Sequence, residues 1–372
     1  MKNNFIKPDF SNNIINISAT IAQFLECPND KPILPELAEE LEKGYKNVVF
    51  LILDGMGMHP VNKNLSDDTF IKKNIKRIVT SVFPSTTTNA MTTYLSNKYP
   101  MEHGWFGWSL YFEELNRAVS IFLDIDSYTG DPVESGYTRR KLPYEPFFKR
   151  ANSDYKMSVV VPGFWHGDEE NKYVWNTLDE MFGLIGSICG KEGRQCIFAY
   201  CDEPDSTMHR YGVSSPEAQR VINELNSGAE ELYNVLNDTL FIITADHGQI
   251  DIDGFIEIYR DSELLSMLEW PLSLEPRATA FKVKANRHRE FVETFNKKYG
   301  EDFELFRTEQ LIDENYFGGN IVNEHAKLLG DYIAICKTHK VFKFSELSHG
   351  YKGHHTSLTE EMEVPLIFIG KK

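Results

Sequence analysis

Five short islands, far apart along the chain, carry side chains able to bind metal or to act as nucleophiles. They are Asp54 in FLILDGMG, Thr87 in FPSTTTNA, Asp205 and His209 in YCDEPDSTMH, Asp246 and His247 in IITADHGQ, and His354 with His355 in YKGHHTS. Together they supply carboxylates, imidazoles and a hydroxyl, enough to hold two divalent cations around an activated nucleophile. That set of groups suits phosphate-ester chemistry.

Each island has its own logic. Asp54 closes an apolar run at a Gly-x-Gly (Gly55, Gly57), where a carboxylate either bridges metals at the mouth of a sheet or caps the next helix. The third glycine and the downstream acid of a dinucleotide fingerprint are missing, which argues against a nucleotide-cofactor fold. The stretch 83–89 runs from an expected strand into an expected helix. A hydroxyl there meets backbone N–H groups and the positive end of the helix dipole. A metal-bound Thr alkoxide has a depressed pKa and can attack phosphorus; a plain Ser/Thr N-cap is the other use of such a run. Asp205 and His209, four residues apart, share one side of a helical turn and can grip one ion. Oxygen and imidazole donors suit zinc, with manganese and iron as alternatives. Asp246 and His247 end another apolar run, and Gly248 permits the turn that lets both wrap one ion. Any island alone reads equally well as a polar loop or a cap; their convergence on one sheet edge makes the metal reading the stronger.

The elements that must deliver these residues are legible as well. Apolar, β-branched runs at 48–53, 78–82, 119–123, 157–161, 195–200 and 240–244 predict buried strands. Residues 87–96, 177–190 and 215–237 predict helices, the last opening on Ser215-Pro216-Glu217, an N-cap followed by Pro in the first turn. The alternation predicts an α/β fold with a mostly parallel central sheet flanked by helices, in which ligands gather beyond the carboxyl ends of strands. From about 254 to 348 the rhythm breaks: a strand at 278–283, a polar helix at 287–298 and a strand at 303–311. This predicts a small inserted α+β cap domain over 254–348, with 1–253 and 349–372 forming the catalytic, metal-binding domain.

Composition sets the outer bounds. A chain of 372 residues with 41% apolar and 13% aromatic content has ample core. A formal charge of −16 argues against a nucleic-acid partner and against anionic membranes, so an anionic substrate needs bound cations to reverse the local potential. The five cysteines lack C-x-x-C spacing and read as reduced core residues. The opening MKNNFIKPDFSNNIINIS has no unbroken apolar stretch, and no later run is long enough to span a membrane. The expected location is cytoplasmic.

The motifs give the chain a specific resemblance. Leu53-Asp54-Gly55, Phe83-Pro84-Ser85-x-Thr87, Tyr200-x-x-Glu203-Pro204-Asp205-x-x-x-His209, Ala245-Asp246-His247-Gly248 and a late histidine resemble the alkaline phosphatase superfamily, and within it the type I phosphodiesterase/nucleotide pyrophosphatase branch. The resemblance spans 48 to about 367. It implies an alkaline-phosphatase-like fold with two divalent ions. One would be held by Asp205, His209 and His355, the other by Asp54, Asp246, His247 and the Thr87 hydroxyl. Thr87 is implied as nucleophile by its place three residues after Pro84, with Thr86 and Ser85 as alternates; His355 is preferred to His354 by its distance to Val364-Pro365. Tyr200 matches an aromatic that stacks on a nucleotide base, its other reading being a sheet-packing tyrosine.

The sequence departs from the family's pattern at the phosphate site. Thr86 stands where the family has Lys, Thr88 where it has an aromatic, and Trp105-Phe106-Gly107-Trp108 where relatives carry a phosphate-binding Asn. Trp108 and its neighbours are candidates to line a pocket for an apolar or planar leaving group, with core packing taking at least half of them. The implied function is hydrolysis of a small-molecule phosphate ester, diester or monoester and with nucleotides among the candidates, through a phospho-threonine intermediate. Rivals within the superfamily are a phosphonate hydrolase and a metal-dependent phosphomutase, for which Arg277, Arg287 and Arg289 would clamp a phosphosugar. A sulfatase is disfavoured because no Cys holds the nucleophile position. The rival of another class is a non-catalytic, metal-stabilised binding protein.

Overall fold

In the computed structural model, which describes residues 5–165, 167, 170–348 and 350–372, the chain forms an α/β fold around a seven-stranded central sheet. Its strands are β1 (Asn47–Leu53), β2 (Ile75–Thr80), β3 (Lys156–Pro162), β4 (Lys172–Trp175), β5 (Gln195–Cys201), β6 (Thr239–Thr244) and β7 (Glu363–Lys371). They lie in the order β2-β7-β6-β1-β5-β3-β4. Only β7 runs against its neighbours, pairing antiparallel with both β2 and β6. The all-apolar runs explain the centre of this order: β1, β5 and β6 are buried at every position, the pattern of strands covered on both faces.

Helices complete the layers. They include α1 (Ile14–Phe24), α2 (Thr87–Ser96), α3 (Leu178–Cys189), α4 (Asp205–Tyr211) and α5 (Pro216–Val235). Ser215 caps α5 by accepting from the Ala218 N–H at 3.1 Å, and Val221, Ile222, Leu225, Ala229 and Leu232 form its buried stripe at helical spacing. Thr177 caps α3 in the same way through Glu180 N–H at 3.2 Å. Among the described residues, no helix is long and apolar enough to cross a membrane.

The β1–β5–β6 register aligns the strand ends, pairing Leu53 with Cys201 and Ile52 with Thr244. Asp54, the segment after Cys201 and Asp246 therefore leave the sheet together at its carboxyl edge. This is the positioning the islands required.

Two expectations need correction. The run at 119–123 is not a central strand: Arg117–Ser120 lies in a second, antiparallel sheet, paired with Ser109–Phe112 across a turn in which Asn116 takes a left-handed φ of 50°. That second sheet runs Phe303–Arg307, Tyr332–Cys336, Ala278–Phe281, Ser273–Glu275, Ser109–Phe112, Arg117–Ser120 and Ile125–Asp126. The 254–348 segment thus supplies four of its seven strands and 109–126 the other three. The cause is physical. A short apolar run looks the same in either sheet, and one core binds Phe106, Leu110 and Val119 to Leu274, Ala280 and Ile333. The expected strand at 303–311 also ends at Arg307, where the helix Thr308–Asp313 takes over. Residues 1–4, 166, 168, 169 and 349 of the expected catalytic domain lie outside the described residues.

Candidate metal centre

Asp54 leaves β1 with its N–H bonded to Cys201 O at 2.9 Å, and its own carbonyl accepts from Asp205 N–H at 3.1 Å. The next residue, Gly55, has φ +70°, and a Cβ there would stand 3.0 Å from Asp205 Cβ, so glycine lets the two carboxylate-bearing segments close up. Asp246 turns one oxygen, Oδ1, onto the N–H groups of Gly55 (3.0 Å) and His247 (2.9 Å). Its Oδ2 is buried with no hydrogen-bond partner. His247 donates from Nδ1 to Gly248 O at 3.0 Å, leaving Nε2 3.4 Å from Asp54 Oδ1 and 3.4 Å from Asp246 Oδ2.

Thr87 opens α2, and its hydroxyl sits between these groups, 3.2 Å from Asp54 Oδ2 and 3.3 Å from His247 Nε2. The two alternates are placed otherwise: Ser85 Oγ is buried without a partner, and the Thr86 hydroxyl faces Glu275.

On the other side, Asp205 and His209 share a face of α4, with Asp205 Oδ2 and His209 Nε2 3.3 Å apart. His209 Nδ1 donates to Gly353 O at 2.8 Å and His355 Nδ1 to Ser85 O at 2.8 Å, so each presents a bare Nε2. His354 differs: its Nδ1 accepts from His355 N–H at 2.9 Å. Asp205, His209 and His355 bring ligand atoms within 4.8 Å of one another, and so do Asp54, Asp205 and His247. Asp205 belongs to both groups.

The electrostatics call for cations. Burial, then the charges of Asp246 and Asp205, push the Asp54 carboxyl well above its usual range; burial and Asp246 do the same to Asp205. Burial pulls His209 down to about 4, and burial with the neighbouring His247 holds His355 well below its ordinary value. Neutral imidazoles with free lone pairs, acids crowded against their charge and an orphaned Asp246 oxygen together fit divalent metal.

Residues 48–358 match the sequence profile of the type I phosphodiesterase / nucleotide pyrophosphatase family. The chain belongs to that family. The mouse ectonucleotide pyrophosphatase/phosphodiesterase 5, solved as an inactive variant with AMP, superposes with a TM-score of 0.63 at 18% identity, covering 86% of this chain and 87% of that one. Phosphonoacetate hydrolase from Sinorhizobium meliloti, solved with phosphonoformate, gives 0.60 at 15% identity over 86% and 89%. Human ectonucleotide pyrophosphatase/phosphodiesterase family member 7 is 38% identical over 69 residues, 17% of this chain and 15% of that protein's length.

Other expected family positions fall differently. Tyr200 is 4% exposed within β5 and donates its hydroxyl to Asp54 Oδ2. Trp105 and Phe106 are core, as expected for part of that run, whereas Trp108 is 40% exposed at the rim of the second sheet. Trp108 is linked to the 83–89 stretch through its backbone, donating to Glu275 Oε1 at 2.6 Å, with Thr86 bonded to the same carboxylate. The phosphomutase arginines are committed elsewhere: Arg277 is fully buried against Glu361, and Arg287 and Arg289 pair with Glu290 and Glu293 at the start of the helix His288–Tyr299, on the side away from its buried Phe291 and Phe295.

Three contributors were invisible in sequence patterning. Gln249 donates to Asp205 Oδ1 at 2.5 Å, and only its place directly after Asp246-His247-Gly248 hinted at it. Tyr351 lays its ring 4.5 Å from that of His209. Glu275 carries no motif at all. Burial pushes its carboxyl up to about 7, against bonds from Thr86 and Trp108 N–H that pull it down. An acid whose folded pKa is raised gives stability present below its unfolded value and lost as pH rises through the folded one. Between an ordinary 4.5 and about 7, wild type should therefore lose about 3 kcal/mol from this group. Glu275→Gln should flatten that fall, so thermal unfolding followed from pH 4 to pH 8 should show the variant gaining on wild type; parallel curves would refute the assignment.

Proposed function

We propose that the protein is a two-metal phosphoesterase that hydrolyses a small-molecule phosphate ester through a phospho-threonine intermediate on Thr87. One observation carries the reading: a hydroxyl at the head of α2 lies in reach of Asp54 and His247, beside two ligand groups that share Asp205. Asp205, His209 and His355 would hold one ion; Asp54, Asp246, His247 and the Thr87 oxygen would hold the other. Zinc suits these donors, with manganese and iron as alternatives. Bound there, the ions would supply charge for the phosphoryl oxygens and lower the pKa of the attacking hydroxyl.

The chain's own residues do the rest. The free N–H groups in the first turn of α2 face an incoming phosphate oxygen. Asp54 takes the hydrogen bond from Thr87 and aligns its oxygen, while Tyr200 fixes Asp54 from behind. Attack by Thr87 Oγ forms the new P–O bond and breaks the ester bond to the leaving oxygen. Water then cleaves the phospho-threonine in line, and the hydroxyl is restored. The inactive mouse relative, described as a threonine-to-alanine variant bound to AMP, supports both the nucleophile and a nucleotide as candidate substrate. The tied-off arginines count against a phosphomutase, and the Thr87 hydroxyl within reach of Asp54 and His247 counts against a non-catalytic, metal-stabilised binding protein. A reducing compartment, the cytoplasm, fits five buried free cysteines.

Protein analysed for metal, then assayed with nitrophenyl phosphate and bis-nitrophenyl phosphate, tests this. Hydrolysis of at least one, abolished by chelation and restored by zinc or manganese, is the expected result. A protein that binds two ions yet is silent on both esters would overturn it.

A further inference from the structure

Arg277 and Glu361 form an ion pair with both side chains fully buried, Nε to Oε1 at 2.7 Å. The pair joins the second sheet to both ligand-bearing loops. Arg277 lies between the strands Ser273–Glu275 and Ala278–Phe281 and donates from Nη1 to Thr338 O (2.9 Å) and Lys340 O (2.7 Å). Glu361 Oε2 accepts the N–H groups of Ser357 (2.9 Å) and Leu358 (2.5 Å), which directly follow His355 and Thr356. Its main-chain carbonyl accepts Gly248 N–H at 2.8 Å, next to His247. Contact there is tight: a Cβ on Gly248 would meet Glu360 O at 2.2 Å.

As a stabilising device the pair is poorly made. Arg277 Nη2 is buried with no partner, and replacing a buried pair by apolar residues of similar volume is often neutral or stabilising. Its side-chain bonds are instead spent on the loop that carries His355. We propose that Glu361, held by Arg277, is the positioning residue that sets His355 against Asp205 and His209, so that the second sheet governs occupancy of that ion site. The Asp54–Asp246–His247 group depends on it less, touching Glu361 only through the main chain, which substitution preserves.

The inference rests on the two-ion reading above, and titration of cobalt or zinc into metal-stripped protein separates the two. If wild type binds no ions, the two-ion reading falls. If it binds two, Glu361→Gln and the double variant Arg277→Met/Glu361→Leu should keep the fold by circular dichroism. Each should bind one ion as wild type does and the other 10- to 100-fold more weakly, the range seen for outer partners of metal ligands. Two equivalents at wild-type affinity, or both weakened alike, would overturn the inference. Should Glu361→Gln not fold, Arg277→Lys takes its place with the same outcomes, since it keeps the charge but cannot donate to Glu361, Thr338 and Lys340 together.

Discussion

Thr87→Ala is expected to lower turnover by about a thousandfold or more, the scale on which losing a covalent nucleophile is felt, while the protein keeps its fold and its metal. The expectation follows from how the residue is built in. Its hydroxyl donates to Asp54 and lies 3.3 Å from His247 Nε2, and its removal leaves both groups with other partners. The backbone of α2 gains from alanine at this helical position. Three of the proposed ligands, Asp54, Asp246 and His247, would remain. Metal content by elemental analysis, read beside hydrolysis of the nitrophenyl esters, distinguishes a lost nucleophile from a lost metal site. Retained turnover would exclude Thr87, whereas loss of metal together with activity would make it primarily a ligand. Thr86→Ala is the control: that hydroxyl faces Glu275 rather than the ligand group, so turnover should change far less.

Local chemistry explains what the sequence exposed. Val48, Val49, Ile52 and their partners in β5 and β6 are apolar without alternation, which only a doubly covered sheet accommodates, and the polar islands had to fall where those runs stop. Ser215 and Thr177 announced their helices because caps are short-range bonds. The contacts that went unread act at long range. Tyr200 meets Asp54 146 positions away, and Arg277 meets Glu361 84 positions away. No periodicity encodes such contacts. The same blindness misplaced 119–123: its apolarity predicts burial, while its sheet is decided by the neighbouring hairpin strand and by Leu274 far downstream. Charge content, too, could suggest Arg277 as a phosphate clamp because only the fold reveals the acid beside it.

Asp205→Asn should reverse the ranking of stabilities between the metal-free and metal-loaded states. In metal-free protein Asp205 is a buried acid facing Asp246, its carboxyl pushed well above the ordinary range by burial first and by that charge second. A raised acid gives stability that is present below its unfolded value and lost as pH rises, so chelated wild type should weaken between pH 4 and pH 8. Asparagine removes the charge, keeps an oxygen to accept from Gln249, and should leave the chelated variant the more stable at pH 8. With metal the order inverts. Ligand binding stabilises by about 2.7 kcal/mol when free metal is a hundredfold above Kd, and Asp205 contributes to both ligand groups. Wild type should gain several degrees in Tm on adding zinc or manganese, and the variant should gain little. Equal gains in the two proteins would mean that Asp205 holds no ion. A variant less stable than wild type under chelation would mean that the cluster is satisfied without cations, which removes the physical reason for placing metal among these residues.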